Sequence, residues 1–165
     1  MKLVKLSPVL CEKVSHLEAR ISKARLGLDE IRRNLKEIEA NNCNLSYALL
    51  DKQNDLLGYI MSWFSDSQFV IDEIVVFIDD LVVLPDYETY KYNLIKAVVK
   101  NLEEKKLSGT PIEVTVFYKD CNIWINDPDI EEKVGYTLSN SLKYKDDESG
   151  EELVLLRFEP VNQIS

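Results

Sequence analysis

Apolar residues recur at intervals of three and four along the first third of the chain. A heptad frame with Val14 at position a contains fourteen a and d positions up to Tyr59, and only Asn42 and Lys52 are polar among them. A heptad pattern sustained over about seven repeats is typical of a coiled coil rather than of an ordinary surface helix. The pattern therefore predicts one long N-terminal helix.

This helix is expected to begin at Ser7 and Pro8, because serine caps free N–H groups and proline at the first helical position needs none. It would run to about Met61 and be roughly 80 Å long at about 1.5 Å per residue. Such a helix cannot bury its apolar stripe within one small chain, so we predict that residues 1–64 oligomerise. The predicted oligomerisation residues are Val14, Leu17, Ile21, Leu28, Ile31, Leu35, Ile38, Asn42, Leu45, Leu49 and Leu56.

The a and d residues also indicate how many helices associate. Leu28 with Ile31, and Leu35 with Ile38, place leucine at a and isoleucine at d, which favours tetramers. A buried asparagine at a, here Asn42, is instead typical of a parallel dimer. We expect a homodimer first and a tetramer second.

The heptad pattern is interrupted at residues 65–68. The interruption is either a four-residue stutter in a continuing coiled coil or a break between two helices, and we prefer the break. A helix is then predicted over residues 69–84, although the β-branched run at 74–77 leaves a strand open. A helix over 87–106, a hairpin formed by 112–118 and 123–125, a helix over 128–142 and a strand over 153–158 follow. The predicted fold class is α+β, with a coiled-coil helix at 1–64 and a small acidic domain at 65–165.

Charge is distributed unevenly between these two parts. The net charge of the whole chain is −9; residues 1–60 contribute +2 and residues 61–165 contribute −11. The acidic part argues against general binding to phosphate backbones and favours a partner protein. Trp63, Phe64 and Phe69 cluster beside the interruption, and we interpret them as a junction core or a docking patch for that partner.

A second hypothesis assigns the chain to nucleic-acid accessory proteins. Residues 13–36 carry a net charge of +4. We interpret these residues as an ordinary solvent-exposed surface of the coiled coil or as a basic face that binds nucleic acid. The basic residues are Lys13, Arg20, Lys23, Arg25, Arg32, Arg33 and Lys36. A third hypothesis, an acidic mimic that inhibits a nucleic-acid-binding protein, rests on the −11 of the C-terminal part.

Three cysteines, Cys11, Cys43 and Cys121, are widely spaced and odd in number. This is neither a disulfide framework nor a metal-ligand spacing, so we expect a cytoplasmic or otherwise reducing intracellular location. The sequence contains no run of about 18 apolar residues, and no membrane span is expected. No signal peptide is expected either, since the N-terminal apolar run is too short.

One segment offers a candidate for chemistry. The stretch Val75–Val83, with its adjacent Asp79 and Asp80, resembles the catalytic box of reverse transcriptases, and this resemblance implies that the two aspartates hold Mg²⁺. That fold requires further carboxylates on a separate strand and a much longer chain. We therefore interpret the segment as a helix with a buried face and an acidic solvent face.

The remaining candidates are a carboxylate patch and a single histidine. The patch consists of Asp120, Asp127, Asp129, Glu131 and Glu132. Its spacing matches no EF-hand, and acidic residues in a first helical turn complement the helix dipole. His16 is the only histidine and occupies a solvent-facing heptad position. Because the sequence offers no clear nucleophile for it to activate, we interpret it as a surface residue.

Together these features predict a non-enzymatic, homo-oligomeric adaptor, assembly factor or complex subunit. The coiled coil would set the oligomeric state, and the acidic domain would bind a partner protein. No catalytic residue, cofactor or metal is predicted.

Overall fold

The N-terminal part of the chain forms two short helices and three strands instead of one long helix. The computed structural model describes residues 1–21 and 27–161, with the side chains of all of these except 120, 122 and 123. Ala24, a d position of the heptad frame, lies outside the described residues, and so do the basic residues Lys23 and Arg25. The first elements are β1 (Lys2–Lys5), a 3-10 helix (Pro8–Leu10), α1 (Cys11–Ile21), α2 (Leu28–Ala40), β2 (Tyr47–Leu50) and β3 (Leu56–Asp66).

Helix α2 ends where asparagine side chains begin to accept hydrogen bonds from nearby backbone N–H groups. Asn41 leaves the helical conformation (φ −83°, ψ 116°), and its Oδ1 accepts a hydrogen bond from the Cys43 N–H at 2.8 Å. Asn44 Oδ1 accepts from the Ser46 N–H at 2.9 Å in the same way. Such local side-chain bonds favour turns over helix, so the chain turns here and continues as strands.

The heptad pattern misled because two different structures both satisfy it. Helices α1 and α2 each bury one face within this chain, with Val14 and Leu35 fully buried, and a spacing of three and four is common to all such helices. In β3, residues 56–61 are buried without interruption. A continuous apolar strand places an apolar residue at any a or d position, so the predicted coiled coil is wrong.

The second half of the chain alternates strands with helices. Its elements are β4 (Ile74–Val83), a 3-10 helix (Pro85–Tyr90), α3 (Lys91–Glu104), β5 (Ile112–Phe117), a 3-10 helix (Tyr118–Asp120), α4 (Asn122–Ile125), α5 (Pro128–Val134), β6 (Tyr136–Lys145) and β7 (Glu152–Pro160). The helix predicted over 69–84 is wrong, since β4 lies there, and the predicted hairpin strand at 123–125 is α4. The helix predicted over 128–142 stops at Val134, because Gly135 adopts the left-handed conformation (φ 80°) and β6 follows.

The seven strands form one mixed sheet in the order β1-β2-β3-β4-β5-β7-β6. β1 with β2, β2 with β3, β5 with β7 and β6 with β7 pair antiparallel, whereas β4 and β5 pair parallel. A mixed sheet with helices replaces the predicted long helix and small α+β domain. None of the described helices is long and apolar enough to cross a membrane.

Two compact units can be distinguished along the chain. The first comprises Met1–Trp63 and Asp80–Val98, and the second comprises Phe64–Asp79 and the residues from Val99 onward. Fully buried side chains of the first unit include Val14, Leu35, Tyr59 and Leu94; those of the second include Val75, Leu102 and Leu156. The domain boundary proposed between residues 64 and 65 stays a prediction.

A buried ion-pair network lies in the second unit. Glu113 on β5 is fully buried directly opposite Arg157 on β7, and Arg157 Nη1 donates to its Oε2 at 2.9 Å. Ser67 Oγ donates to the same oxygen at 2.5 Å and the Gln68 N–H donates to Oε1 at 2.8 Å. Arg157 also pairs with Glu73. The network satisfies charges that burial would otherwise penalise, and it fixes the turn between β3 and β4.

Candidate active site

The end of β4 and the start of α3 form the region where this sheet topology favours a ligand-binding site. Among strand pairs with a described register only β4 and β5 are parallel, with Val76–Ile78 opposite Ile112–Val114. A parallel pair needs a crossover, and α3 supplies it. Open sheets bind ligands beyond the C-terminal ends of strands at such crossovers, and the N-terminus of the crossover helix favours anions.

Strand β4 is irregular before it reaches this end. The Val76 N–H donates to Pro111 O, on the β5 side, whereas the Leu84 N–H donates to Leu57 O, on the β3 side, both at 2.9 Å. In a regular strand, residues eight positions apart direct their N–H groups to the same side. The side to which the N–H groups point therefore changes between Val76 and Leu84, the residue just beyond the strand. Such a change also occurs at a β-bulge, a feature over-represented next to active sites.

A tyrosine bound by two carboxylates lies beside this irregular stretch. The hydroxyl of Tyr59 on β3 is 2.8 Å from Glu18 Oε1 on α1 and 3.0 Å from Asp80 Oδ2 on β4. Burial raises the pKa of Tyr59, and the charges of Asp80 and Glu18 raise it further. The phenol thus keeps its one proton, which it donates to either carboxylate, and it holds the two acids close together.

A cavity of about 740 Å³ opens in the same unit. Its apolar wall consists of Leu17, Leu56, Leu57 and Leu84. Its polar wall consists of Lys13, His16, Arg20, Asp51, Asp55, Asp86 and Tyr87. Lys13 Nζ already donates to Asn54 O at 2.6 Å and lies 4.0 Å from Asp55. The cavity has the size of a small-molecule site and carries charges of both signs.

The start of α3 does not fit a phosphate group. Pro85 has no N–H, and the N–H groups of Tyr87 and Lys91 are used by Leu84 O and Glu88 O. The segment 84–93 contains no glycine that would allow a phosphate to approach the backbone closely. Asp86 and Glu88 add two exposed negative charges there.

The predicted oligomerisation residues lie in several elements instead of along one helix. Those buried in this chain's own core are Val14, Leu17, Ile31, Leu35, Leu45, Leu49 and Leu56. The others are Ile21 and Leu28, which are exposed, Ile38, which is half-buried, and the exposed Asn42. Trp63, Phe64 and Phe69, predicted to bind a partner, are half-buried near the end of β3. Their roles in association stay predictions.

The other predicted candidates are also separated. Asp79 and Asp80 lie within the strand β4, and not on the acidic face of a helix as predicted. Asp127 caps α5 by accepting from the Asp129 N–H at 3.0 Å, and the Asp120 side chain lies outside the described residues. In the part of the chain that the structure describes, no group of three His, Cys, Asp or Glu residues is arranged to hold a metal. His16 is exposed, as expected, and lines the cavity.

The cluster of Tyr59, Glu18 and Asp80 was not predicted from the sequence. The heptad frame places Tyr59 in the N-terminal helix, whereas Asp80 belongs to a separate predicted helix, so the pattern predicts no contact between them. Along the chain, Glu18 is 41 positions and Asp80 is 21 positions from Tyr59. The pairing of β3 with β4 and the packing of α1 bring the three residues together.

The comparisons with known proteins identify the fold. No family model and no curated protein matches the sequence. Solved structures, in contrast, match over nearly the whole chain. The ribosomal-protein-S18-alanine N-acetyltransferase of Escherichia coli matches with a TM-score of 0.65 at 14% sequence identity. The match covers 99% of this chain and 96% of the Escherichia coli chain.

Two further solved structures match the chain to a similar extent. Naa20 of Chaetomium thermophilum, in complex with a bisubstrate analogue, has a TM-score of 0.69 at 14% identity and covers 97% of this chain and 86% of its own. A spermidine N-acetyltransferase of Vibrio cholerae has a TM-score of 0.64 at 12% identity, with coverages of 96% and 91%. The chain therefore has the GNAT acetyltransferase fold. This fold contradicts the prediction of a non-enzymatic coiled-coil adaptor.

Proposed function

We propose that this chain is an acyltransferase that acylates an amino group. One observation carries the proposal: the chain, with its parallel β4–β5 pair and the crossover helix α3, is similar over nearly its full length to solved N-acetyltransferases. The neighbours include enzymes named for alanine and for spermidine, which are both amines. Because fold alone does not define activity, the residues of this chain carry the rest of the argument.

The carboxylates of Glu18 and Asp80 suit an amine acceptor. An amine is protonated near neutral pH and must lose a proton before its nitrogen attacks an acyl carbon. Two acids held on the Tyr59 hydroxyl attract an ammonium group and accept its proton, while Tyr59 keeps their positions fixed. The chain's net charge of −9 favours a cationic acceptor over an anionic one.

The test is an acylation assay with two donors and several amines. Acetyl-coenzyme A and S-acetylpantetheine are each offered with spermidine or with a peptide that has a free N-terminus, and mass spectrometry detects the acetylated amine. Asp80→Asn should lower kcat about 100-fold or more, as expected for loss of a general base. Asp66→Asn, at an exposed aspartate of β3, is the control and should keep full activity. Absence of any acetylated amine with either donor would refute the proposal.

Tyr59→Phe separates a positioning role from a merely structural one. Without the hydroxyl the two carboxylates lose their shared partner, so kcat should fall and its dependence on pH should shift, while KM for the amine changes little. A purely structural tyrosine would instead lower the melting temperature and leave the pH profile unchanged.

We also propose a reducing location for the chain. Cys11, Cys43 and Cys121 are all free in the structure, and Cys11 and Cys121 are buried. Free thiols persist in reducing compartments. Mass analysis of the protein isolated with its thiols trapped should find all three cysteines reduced.

A further inference from the structure

The segment before α3 bears on the identity of the acyl donor. Two of the structural neighbours were solved with coenzyme A or a coenzyme A conjugate, and coenzyme A carries a diphosphate. In this topology a diphosphate is expected at the N-terminus of the crossover helix, where free N–H groups and the helix dipole meet it. The residues of this chain can be compared directly with that requirement.

The backbone meets the requirement poorly. Between positions 84 and 93 the sequence reads Leu-Pro-Asp-Tyr-Glu-Thr-Tyr-Lys-Tyr-Asn, without a glycine. The chain forms a 3-10 helix over Pro85–Tyr90 before α3 begins at Lys91. Pro85 offers no donor, and the Tyr87 N–H is used within the turn, at 2.8 Å from Leu84 O. Side chains of this size keep a phosphate away from the remaining backbone.

The charges oppose a phosphate as well. Asp86 and Glu88 are both exposed at this helix start, where two carboxylates repel a dianion. Lys91 is the only cationic residue between positions 84 and 93, and its Nζ lies over the ring of Tyr92 at 5.0 Å from the centroid. In the adjacent cavity the three carboxylates of Asp51, Asp55 and Asp86 outnumber the two cations of Lys13 and Arg20. Lys13 is already bound to Asn54 and Asp55.

We infer that the start of α3 excludes the diphosphate of coenzyme A, so that any acyl group this enzyme transfers arrives on a carrier without phosphate at this position. The inference rests on the proposed acyltransferase function, because it concerns the donor of that reaction. It departs from what the fold alone suggests. The exclusion has two causes, the backbone around Pro85 and the charges of Asp86 and Glu88.

The experiment measures binding by calorimetry, without turnover. Coenzyme A and pantetheine, which lacks every phosphate, are titrated into the full chain and into the double variant Asp86→Asn/Glu88→Gln. The wild type should bind coenzyme A no more tightly than pantetheine. The double variant should gain about tenfold in affinity for coenzyme A and none for pantetheine, and the gain should shrink in about 1 M salt.

A matched control removes two charges from the other end of the same helix. Glu103→Gln/Glu104→Gln should leave both affinities unchanged. The inference is overturned if the wild type binds coenzyme A 100-fold more tightly than pantetheine. It is also overturned if neutralising Asp86 and Glu88 brings no gain, since the exclusion would then have another cause. Either result leaves the acylation assay with S-acetylpantetheine as a separate test of the proposed function.

Discussion

The guanidinium of Arg157 on β7 lies 2.9 Å from the carboxylate of Glu113 on β5, and both side chains are almost entirely shielded from water. Removing one partner of such a pair leaves a buried charge without compensation. Arg157→Met should therefore lower the free energy of unfolding by about 3–5 kcal/mol, measured by urea denaturation.

The control for this prediction is a pair between β6 and β7 that is open to solvent. Lys143 Nζ lies 3.4 Å from Glu152, and both side chains are about half exposed. Lys143→Met should cost at most about 1 kcal/mol. Equal losses for Lys143→Met and Arg157→Met would show that burial does not set the strength of the Arg157 network.

Gly58 should not tolerate a side chain. A Cβ at this position of β3 would lie 2.7 Å from the backbone oxygen of Val82 and 3.0 Å from Cγ2 of Val83. The backbone oxygen cannot move away without disturbing β4, so Gly58→Ala should cost about 1–3 kcal/mol of stability by thermal denaturation. At Gly27 an added Cβ would meet no atom of the described residues within 4 Å, so Gly27→Ala should change stability by less than about 1 kcal/mol. An unchanged melting temperature for Gly58→Ala would contradict the close packing of β3 on β4.

Stability should decline at alkaline pH because two phenols are held protonated. Burial, assisted by the charge of Glu103, raises the pKa of Tyr136 to about 12, and burial raises the pKa of Tyr59 still further above 10. Below pH 10 folded and unfolded chains both keep these protons, so this contribution is fully present. Above pH 10 the unfolded chain loses them first, and each tyrosine lowers stability by up to about 1.4 kcal/mol per pH unit.

The Tyr136 contribution can be isolated by substitution. Unfolding free energies of Tyr136→Phe should decline less steeply than those of the wild type between pH 10 and about 12. Tyr118→Phe, at an exposed tyrosine, should decline in parallel with the wild type. Parallel curves for Tyr136→Phe and the wild type would show that this phenol titrates alike in both states.

Cys43 should be the one thiol that reacts quickly in the folded chain. It is exposed, whereas Cys11 and Cys121 retain only 6% and 5% of their accessible surface. An aromatic disulfide reagent should modify one equivalent rapidly and the other two only after denaturation. Cys43→Ser should lack the rapid phase, and more than one rapid equivalent in the wild type would disagree with this burial.

Local pattern was informative where a segment's own residues decide its structure. The alternation at 112–117 correctly predicts β5, and the apolar face over 87–106 predicts α3. The pattern failed where burial on both sides of the sheet removes alternation, as in residues 56–62 of β3. The polar cluster of Tyr59, Glu18 and Asp80 could not be predicted, because it depends on which strands become neighbours and not on spacing along the chain.

The separation of Glu113 and Arg157 along the chain has a consequence for biosynthesis. They are 44 residues apart, so at about 5–20 residues per second the ribosome adds Arg157 roughly 2–9 s after Glu113. Until then β5 cannot bury its carboxylate without a large penalty. We expect the second unit to stay open during translation and to close only after β7 emerges. Ribosome-bound chains that end before residue 157 should then be cleaved readily by protease, and chains extended well past it should resist.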